Sequence, residues 1–197
     1  MKYFLIGIFV TFLSACSNSV DFSRPANERI VLGQTKLSDM AGLIYHEPIS
    51  TSTQYINGKQ IFVLEYAHVG PNNESDSKAP GVIPIRSLHV YLYNDIVVGT
   101  SFFSSFEKDS TKFNPEQAKK IEIDISTQED VIRLFGAPNL QYLEEMGING
   151  QKVIGYRYKT THFRAAGGNG YTENLKLTFL VNRNKTVTRI KLNVRKM

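Results

Sequence analysis

The chain has 197 residues, of which 42% are hydrophobic and 21% are charged, and its formal net charge is +5. These fractions are typical of a folded globular protein and exclude an intrinsically disordered chain. The single cysteine, Cys16, excludes a framework of internal disulfides.

The N-terminus has the pattern of an export signal. Lys2 supplies a positive charge, and the uncharged apolar run at 3–15 follows it. A membrane-spanning helix needs about 20 apolar residues, whereas the apolar core of a signal peptide has about 7 to 15. The run is therefore predicted to direct export and then to be removed. Its end, "LSAC" at 13–16, resembles the lipobox at which bacterial lipoprotein precursors are cleaved.

The lipobox resemblance implies removal of a signal peptide at 1–15, followed by acylation of the Cys16 thiol and of the new amino terminus. Two or three acyl chains would give stable anchoring, because one chain alone binds a membrane only marginally. Ser17 in place of an aspartate implies sorting to the outer membrane, with the protein facing the periplasm. The alternative is an unmodified cysteine beside an ordinary cleavage site. Residues 16–30 are interpreted as a lipidated tether.

Three blocks of the chain recur in the same order, each displaced by about 90 residues, and this recurrence predicts two copies of one structural unit. The matched blocks are 35–48 with 127–138, 55–66 with 147–158, and 87–93 with 174–180. We assign the first copy to 31–106, a linker to 107–120 and the second copy to 121–197.

Each copy is predicted to begin with a short helix, near 36–45 in the first copy and after Thr127 in the second. Thr127 is a favourable N-cap, and acidic residues follow it in the first turn, where the helix dipole favours negative charge. Gly136, followed by Pro138, is a helix stop signal.

Alternating apolar residues predict strands after each helix. In the first copy the strands lie near 54–69, 86–94 and 96–105, with a loop at 70–84. In the second copy the alternating residues are Ile154, Tyr156 and Tyr158, then Leu175, Leu177, Phe179 and Val181, and finally Ile190, Leu192 and Val194. The predicted fold class is therefore α+β, with two tandem repeats, each a short helix packed on a three- to four-stranded antiparallel sheet.

The segment 125–138 resembles the helix-and-turn motif of the SmpA/OmlA (BamE-like) outer-membrane lipoproteins, in which a helix ends in Leu-(Leu/Phe)-Gly-x-Pro. The second copy keeps this ending as "LFGAP" at 134–138, whereas the first copy has Tyr45 in place of the turn glycine. Two such units in tandem are similar in plan to the β-lactamase inhibitory protein. The resemblance implies a binding module at the outer membrane.

Positive charge is concentrated in the second copy. Residues 17–120 carry ten Lys/Arg and eleven Asp/Glu, whereas residues 121–197 carry twelve and seven. Strand parity predicts that six of these cations share one sheet face. They are Arg157, Lys159, Lys176, Arg189, Lys191 and Arg195. Such a face attracts acidic protein surfaces or anionic lipid head groups; the alternative is a face that only keeps the protein soluble.

No pattern in the sequence indicates an active site. The four histidines lack HxxH or HExxH spacing, GxSxG is absent, and "GGNG" at 167–170 is not followed by the Lys-Ser/Thr of a phosphate-binding loop. We therefore predict that the protein is not an enzyme and has neither a metal site nor a cofactor. Nucleic acid is not expected as a partner, because the predicted periplasmic location separates the two.

Two functions fit these features. The first is a protein-binding accessory or adaptor in envelope or outer-membrane protein assembly, which would bind an envelope protein through the cationic face. The second is an inhibitor or ligand-binding lipoprotein of the β-lactamase-inhibitory-protein type, which would insert a loop at 70–81 or 164–170 into its partner. The adaptor is preferred because the motif of the second copy is the closer match.

Overall fold

The computed structural model describes residues 21–24, 29–70, 84–143, 151–162 and 171–196. Cys16 and the predicted signal peptide lie outside the described residues. The two loops that the inhibitor hypothesis would insert into a partner also lie outside the described residues, 164–170 entirely and 70–81 except for residue 70. Among the described helices, none combines the length and the hydropathy that a transmembrane span requires.

The described residues form one antiparallel sheet of eight strands, which lie side by side in the order of the chain. The strands are β1 (Ser50–Ile56), β2 (Lys59–Val69), β3 (Ile85–Tyr93), β4 (Ile96–Ser104), β5 (Leu140–Tyr142), β6 (Lys152–His162), β7 (Tyr171–Val181) and β8 (Val187–Lys196). The helices are short. The α-helices are α1 (Met40–Leu43) and α2 (Gln128–Phe135), and the 3-10 helices are Leu37–Asp39, Glu107–Asp109 and Pro115–Lys120.

The predicted fold class is wrong. The sequence pattern predicted an α+β pair of repeats, each a helix on its own sheet, whereas the sheet is single and the helices are minor elements. The cause is β5, which pairs with Gly99–Ser101 of β4 on one side and with Val153–Gly155 of β6 on the other. Its backbone hydrogen bonds make one sheet of the strands before and after it. A strand of three residues is too short to show an alternating pattern.

Both α-helices lie on the same face of the sheet, and each covers a hydrophobic core. The first core, under α1, includes Met40, Leu64, Tyr66, Leu88, Val90 and Phe102. The second core, under α2, includes Val131, Ile154, Tyr156, Leu177 and Phe179. Thr100 faces the same side of β4 as Phe102 of the first core. The register pairs Thr100 with Gln141, and Gln141 with Ile154 of the second core, so the two cores lie on one side of the sheet. We call the other side, on which no described helix packs, the open face.

Both predicted ends of α2 are confirmed. Thr127 Oγ1 accepts a hydrogen bond from the Asp130 N–H at 3.2 Å, and Asp130 Oδ2 accepts one from the Thr127 N–H at 2.8 Å, which completes a capping box. Gly136 ends the helix with φ of 77°, a conformation that other residues rarely adopt. Its carbonyl oxygen accepts a hydrogen bond from the Tyr156 hydroxyl at 2.7 Å, which holds the helix end on the second core.

Replacement of Thr127 by alanine should lower the free energy of unfolding by about 1 to 2 kcal/mol, because the Asp130 N–H would lose its acceptor. Urea unfolding followed by circular dichroism would measure the loss. Thr127→Ser keeps the hydroxyl and should stay within about 0.5 kcal/mol of wild type. Equal losses for the two variants would show that the methyl group, and not the cap, stabilises this position.

Arg86 on β3 is fully buried at the margin of the first core, with 0% exposed. Its Nε donates a hydrogen bond to Asp109 Oδ2 at 2.6 Å, and its Nη1 is paired with the Asp21 carboxylate. Its guanidinium also lies over the Phe106 ring, with Cζ 4.0 Å from the ring centroid. This cluster connects the N-terminal segment, β3 and the 3-10 helix that follows β4.

The N-terminal described segment is docked on the sheet by further contacts besides the Asp21 ion pair. Phe22 is buried in the first core. Arg24 lies over the Phe102 ring, 5.6 Å from its centroid, and donates a hydrogen bond to the Pro138 carbonyl oxygen at 2.5 Å. These residues, which fall in the range interpreted as a tether, are therefore packed against the sheet.

Candidate protein-binding face

The open face has a buried floor although no described helix covers it. Ile61, Val63 and Val98 form a hydrophobic cluster there and are 0%, 4% and 3% exposed. Tyr91 and Tyr93 pack against this cluster and are only partly buried. Neighbouring side chains therefore cover these three residues, and the rings of Tyr91 and Tyr93 form part of the surface of the open face.

The floor continues across the middle of the sheet at Leu140 and Gly155, which lie opposite each other on β5 and β6. A Cβ atom on Gly155 would lie 2.9 Å from the Leu177 carbonyl oxygen and 3.1 Å from Leu140 Cδ2. Only glycine lets β6 come this close to its neighbours. The side chains of Leu140 and Thr178 fill the space that a side chain on Gly155 would need, so Gly155 is itself buried.

Asn139 holds the middle of the sheet together from its position just before β5. It is 4% exposed, and its side chain pairs with the backbone of Arg157 on β6. Asn139 Nδ2 donates to the Arg157 carbonyl oxygen at 2.8 Å, and Oδ1 accepts from the Arg157 N–H at 2.7 Å. The Asn139 carbonyl oxygen accepts from the Phe102 N–H on β4 at 2.7 Å. Asn139 thus fixes the backbone that carries Arg157.

Two tyrosines meet on the open face where β3 and β5 come near each other. The rings of Tyr91 and Tyr142 meet edge to face, with centroids 5.4 Å apart, and their hydroxyls share a hydrogen bond. Burial, and then the neighbouring Tyr91, raise the pKa of Tyr142 above its ordinary value, so the phenol keeps its proton to a higher pH than an exposed tyrosine does. Burial is also the main cause of a raised pKa for Tyr91.

The N-terminal part of the open face carries an acidic residue with its own partners. Glu65 accepts a hydrogen bond from the Ser50 hydroxyl at 2.7 Å, and its other oxygen lies 3.3 Å from His89 Nε2. The Ser50 hydrogen bond, followed by the contact with His89, lowers the pKa of Glu65. This carboxylate is therefore already engaged within the face.

The register brings all six predicted cations onto the open face. Arg157 lies directly opposite Lys176, and Lys159 and Arg195 both flank Asn174. Lys191 pairs with Thr178 in the next row, and Arg189 pairs with Leu180 beyond it. The six residues therefore form one band over β6, β7 and β8, although their role in binding stays a prediction.

The middle of this band contains close like charges. Partial burial lowers the pKa of Lys176, and the positive charges of Arg157 and Lys191 lower it further. Within the described ranges, none of the six cations has a carboxylate within 4.0 Å. An acidic group from a partner would relieve this repulsion and provide the missing counter-charge.

The aromatic part of the face was missed by the sequence reasoning. Tyr91 and Tyr93 alternate with Leu88, Val90 and Leu92 in β3, so strand parity could have placed these two rings opposite the first core. Tyr142 gave no such signal, because β5 shows no alternation. The face therefore joins a predicted cationic band to a group of tyrosines that the sequence reasoning did not predict.

This combination suits the binding of a protein surface. Aromatic rings and arginine are enriched at the centres of protein interfaces, and cations on the same face select an acidic partner.

Among the described residues, no three His, Cys, Asp or Glu side chains come together as a metal site requires.

Comparisons with known proteins assign no family to the chain. No protein-family model matches it, and no curated protein does, so the resemblance to SmpA/OmlA lipoproteins has no support from either comparison. The structure is similar to a crystal structure titled "putative beta-lactamase inhibitor protein" from Streptococcus mutans, with a TM-score of 0.45 and 12% sequence identity over 85% of this chain and 91% of that chain. Similarity at this level carries no information about activity.

Proposed function

We propose that this chain is an outer-membrane lipoprotein facing the periplasm that binds an acidic surface of an envelope protein through the open face, as an accessory or adaptor in envelope assembly. The main support is the cationic band, which has no acidic partner among the described residues and lies beside the Tyr91–Tyr142 pair. The lipobox at 13–16 supports the membrane anchor.

The groups that would bind are held in place before a partner arrives. The Tyr91–Tyr142 hydrogen bond fixes both rings, and Asn139 fixes the backbone of Arg157. Side chains and backbone that are already ordered lose less conformational entropy on binding. The cations would in addition speed association with an acidic surface, in a manner that weakens with salt.

The anchor is tested by labelling cells with radioactive palmitate. Wild type should incorporate the label and Cys16→Ala should not, because the thiol and the cleavage site are both lost. Label in a Cys16→Ala protein would contradict the anchor and leave the open face to be tested in a soluble protein.

The partner is sought by reversible crosslinking of intact envelopes, mild solubilisation, and mass spectrometry of proteins that copurify with the lipoprotein. Outer-membrane assembly components in comparable amounts would support the adaptor function. Recovery of a soluble enzyme that the lipoprotein inhibits would favour the inhibitor function in place of the adaptor, with the same open face as the first surface to examine.

Reversal of charge at two exposed positions of the band, Arg189→Glu with Lys191→Glu, should reduce recovery of the partner about tenfold or more. Neither side chain has a described partner within the protein, so the fold should be unaffected. The matched control, Lys120→Glu with Arg183→Glu, reverses two exposed cations away from the open face and should leave recovery unchanged. Undiminished recovery with the first variant would assign the band to solubility.

A further inference from the structure

We propose that the outer edge of β1 pairs antiparallel with β1 of a second copy of this chain, which would join two molecules into a symmetric dimer with one continuous sheet. β1 lies at one end of the strand order, so β2 is its neighbour on one side and no described strand lies on the other. Pairing at this edge needs neither the membrane anchor nor the cationic band.

The turn between β1 and β2 determines which way the backbone groups of β1 point. Asn57 and Gly58 have positive φ, 50° and 76°, as in a type I′ hairpin. The residues on either side of such a turn, Ile56 and Lys59, are bonded to each other through their main chains. Because bonding alternates along an antiparallel pair, every second residue before Ile56 also bonds to β2.

The residues between these bonded positions carry the groups of the outer edge. Thr51, Thr53 and Tyr55 therefore direct their N–H and carbonyl groups away from β2. Within the described ranges, no residue bonds to these backbone groups. The first six residues of β1 are all exposed, so the described parts of the chain leave this edge open to a further strand.

The two edges of the sheet differ in their protection against pairing. At the other edge, β8 carries three residues of the cationic band, and its first residue is already bonded on the outer side. The Val187 N–H donates to the Ser126 carbonyl oxygen at 2.9 Å, and the Val187 carbonyl oxygen accepts from the Asp124 N–H at 2.8 Å. Charges and covered main-chain groups are usual means of preventing edge pairing. β1, "STSTQYI", has no charged residue and no proline.

β1 is complementary to itself in one register. A two-fold axis at Thr53 would place Thr53 opposite its own counterpart and Thr51 opposite the partner's Tyr55. The outward groups would then meet, and every such pair would exchange two hydrogen bonds. Thr–Thr pairs and pairs of an aromatic with a β-branched residue stabilise antiparallel sheets. The absence of charge on β1 avoids like-charge repulsion at the axis.

Apolar side chains beside the edge would be covered in the dimer. Thr53 and Tyr55 lie on the same side of the sheet as Phe62, which is opposite Thr53 on β2. Tyr55 is 75% exposed and Phe62 is 36% exposed, and the partner's strand would lie beside Tyr55. A contact between two strands of seven residues is small for a protein interface, so the dimer should be reversible.

Pairing through β1 leaves the cationic bands free. In the strand order β1 is separated from β6 by about 24 Å, so the two bands would lie at the outer ends of the joint sheet. Pairing through β8 would instead bring the bands together, and their like charges would repel. The dimer would therefore present two open faces on one side, each with its own band.

Sedimentation equilibrium of the purified full chain in a density-matched detergent tests the dimer. The protein mass should rise from one chain toward two as the concentration increases. Thr53→Lys is at an exposed position and would place like charges on the two-fold axis, so it should weaken dimerisation at least about tenfold. The control Asn184→Lys adds the same charge in the exposed β7–β8 turn and should dimerise like wild type.

Three results would overturn the proposal. The first is a mass of one chain at up to about 100 µM. The second is equal dimerisation of wild type and Thr53→Lys. The third is a mass that rises beyond two chains, which would indicate head-to-tail pairing of β1 with β8 in place of a closed pair.

Disulfide crosslinking tests the register. Residues directly opposite in a hydrogen-bonded pair have Cα atoms about 5.5 Å apart, within the range of a disulfide. Under mild oxidation Thr53→Cys should therefore give at least about fivefold more crosslinked dimer than Thr51→Cys, whose two copies would lie about 14 Å apart. Wild type reports any crosslinking through Cys16, the single native cysteine.

Equal crosslinking at the two positions would contradict the two-fold axis at Thr53. In intact envelopes, crosslinking of Thr53→Cys to a different protein in place of a second copy would assign the edge to that protein and overturn self-pairing. None of these results would affect the proposed function, because the cationic band lies on other strands.

Discussion

Substitution of Arg86 by methionine is expected to lower the free energy of unfolding by about 3 to 5 kcal/mol. Methionine is apolar and leaves the Asp21 and Asp109 carboxylates without their cationic partner. Asp109 is the more affected, because its side chain is 19% exposed, whereas that of Asp21 is 53% exposed and can be hydrated. Urea unfolding of the purified protein would measure the change.

The control for this prediction is Arg133→Met. Arg133 pairs with Asp130 on the surface of α2, and its side chain is 76% exposed. Exposed pairs contribute about 0 to 1 kcal/mol, so this variant should unfold close to wild type. Arg86→Lys should fall between the two methionine variants, because an ammonium keeps the charge but not the donor geometry of guanidinium. A loss below about 1 kcal/mol for Arg86→Met would contradict the importance of the buried pair.

Replacement of Asn139 by alanine should lower the free energy of unfolding by about 2 to 4 kcal/mol, because the N–H and the carbonyl of Arg157 would both lose their partners in a buried setting. The effect should extend to binding, since Asn139 fixes the backbone that carries Arg157. Thermal unfolding and partner capture on the same preparation would measure both effects.

Two further variants separate the hydrogen bonds of Asn139 from a general sensitivity of the region. Asn139→Asp has the same shape but would place a buried carboxylate oxygen against the Arg157 carbonyl oxygen, now 2.8 Å from Asn139 Nδ2, so its loss should be at least as large as that of Asn139→Ala. Asn184→Ala removes an exposed amide in the β7–β8 turn and should change stability by less than about 0.5 kcal/mol. If Asn139→Ala behaved like Asn184→Ala, the side-chain pairing would be unimportant.

Elements with strong local signals were predictable from the sequence. The ends of α2 follow from Thr127 and Gly136, whose capping and left-handed conformation depend only on neighbouring residues. The alternation in β7 placed Leu177 and Phe179 in a core, and both are 0% exposed. The same parity places the six cations together on the opposite side.

Features that depend on distant residues were not predictable. Arg86 is apparent as a buried cation only when Asp21 and Asp109, from two other parts of the chain, are seen around it. Tyr142 joins the open face because β5 pairs on both sides with strands that the sequence assigned to separate repeats. The error in fold class and the failure to place Tyr142 on the open face therefore have one origin.

The position of β5 has a consequence for cleavage of the chain and for its unfolding. A chain cut at 107–120 would separate the first core from the second, and the N-terminal piece would lose the strand that covers the edge of β4. Its exposed main-chain groups at Gly99–Ser101 would then be open to pairing with another molecule. Each core has its own helix, but we expect neither piece to be stable by itself, and in the intact chain we expect the two cores to melt in a single cooperative transition.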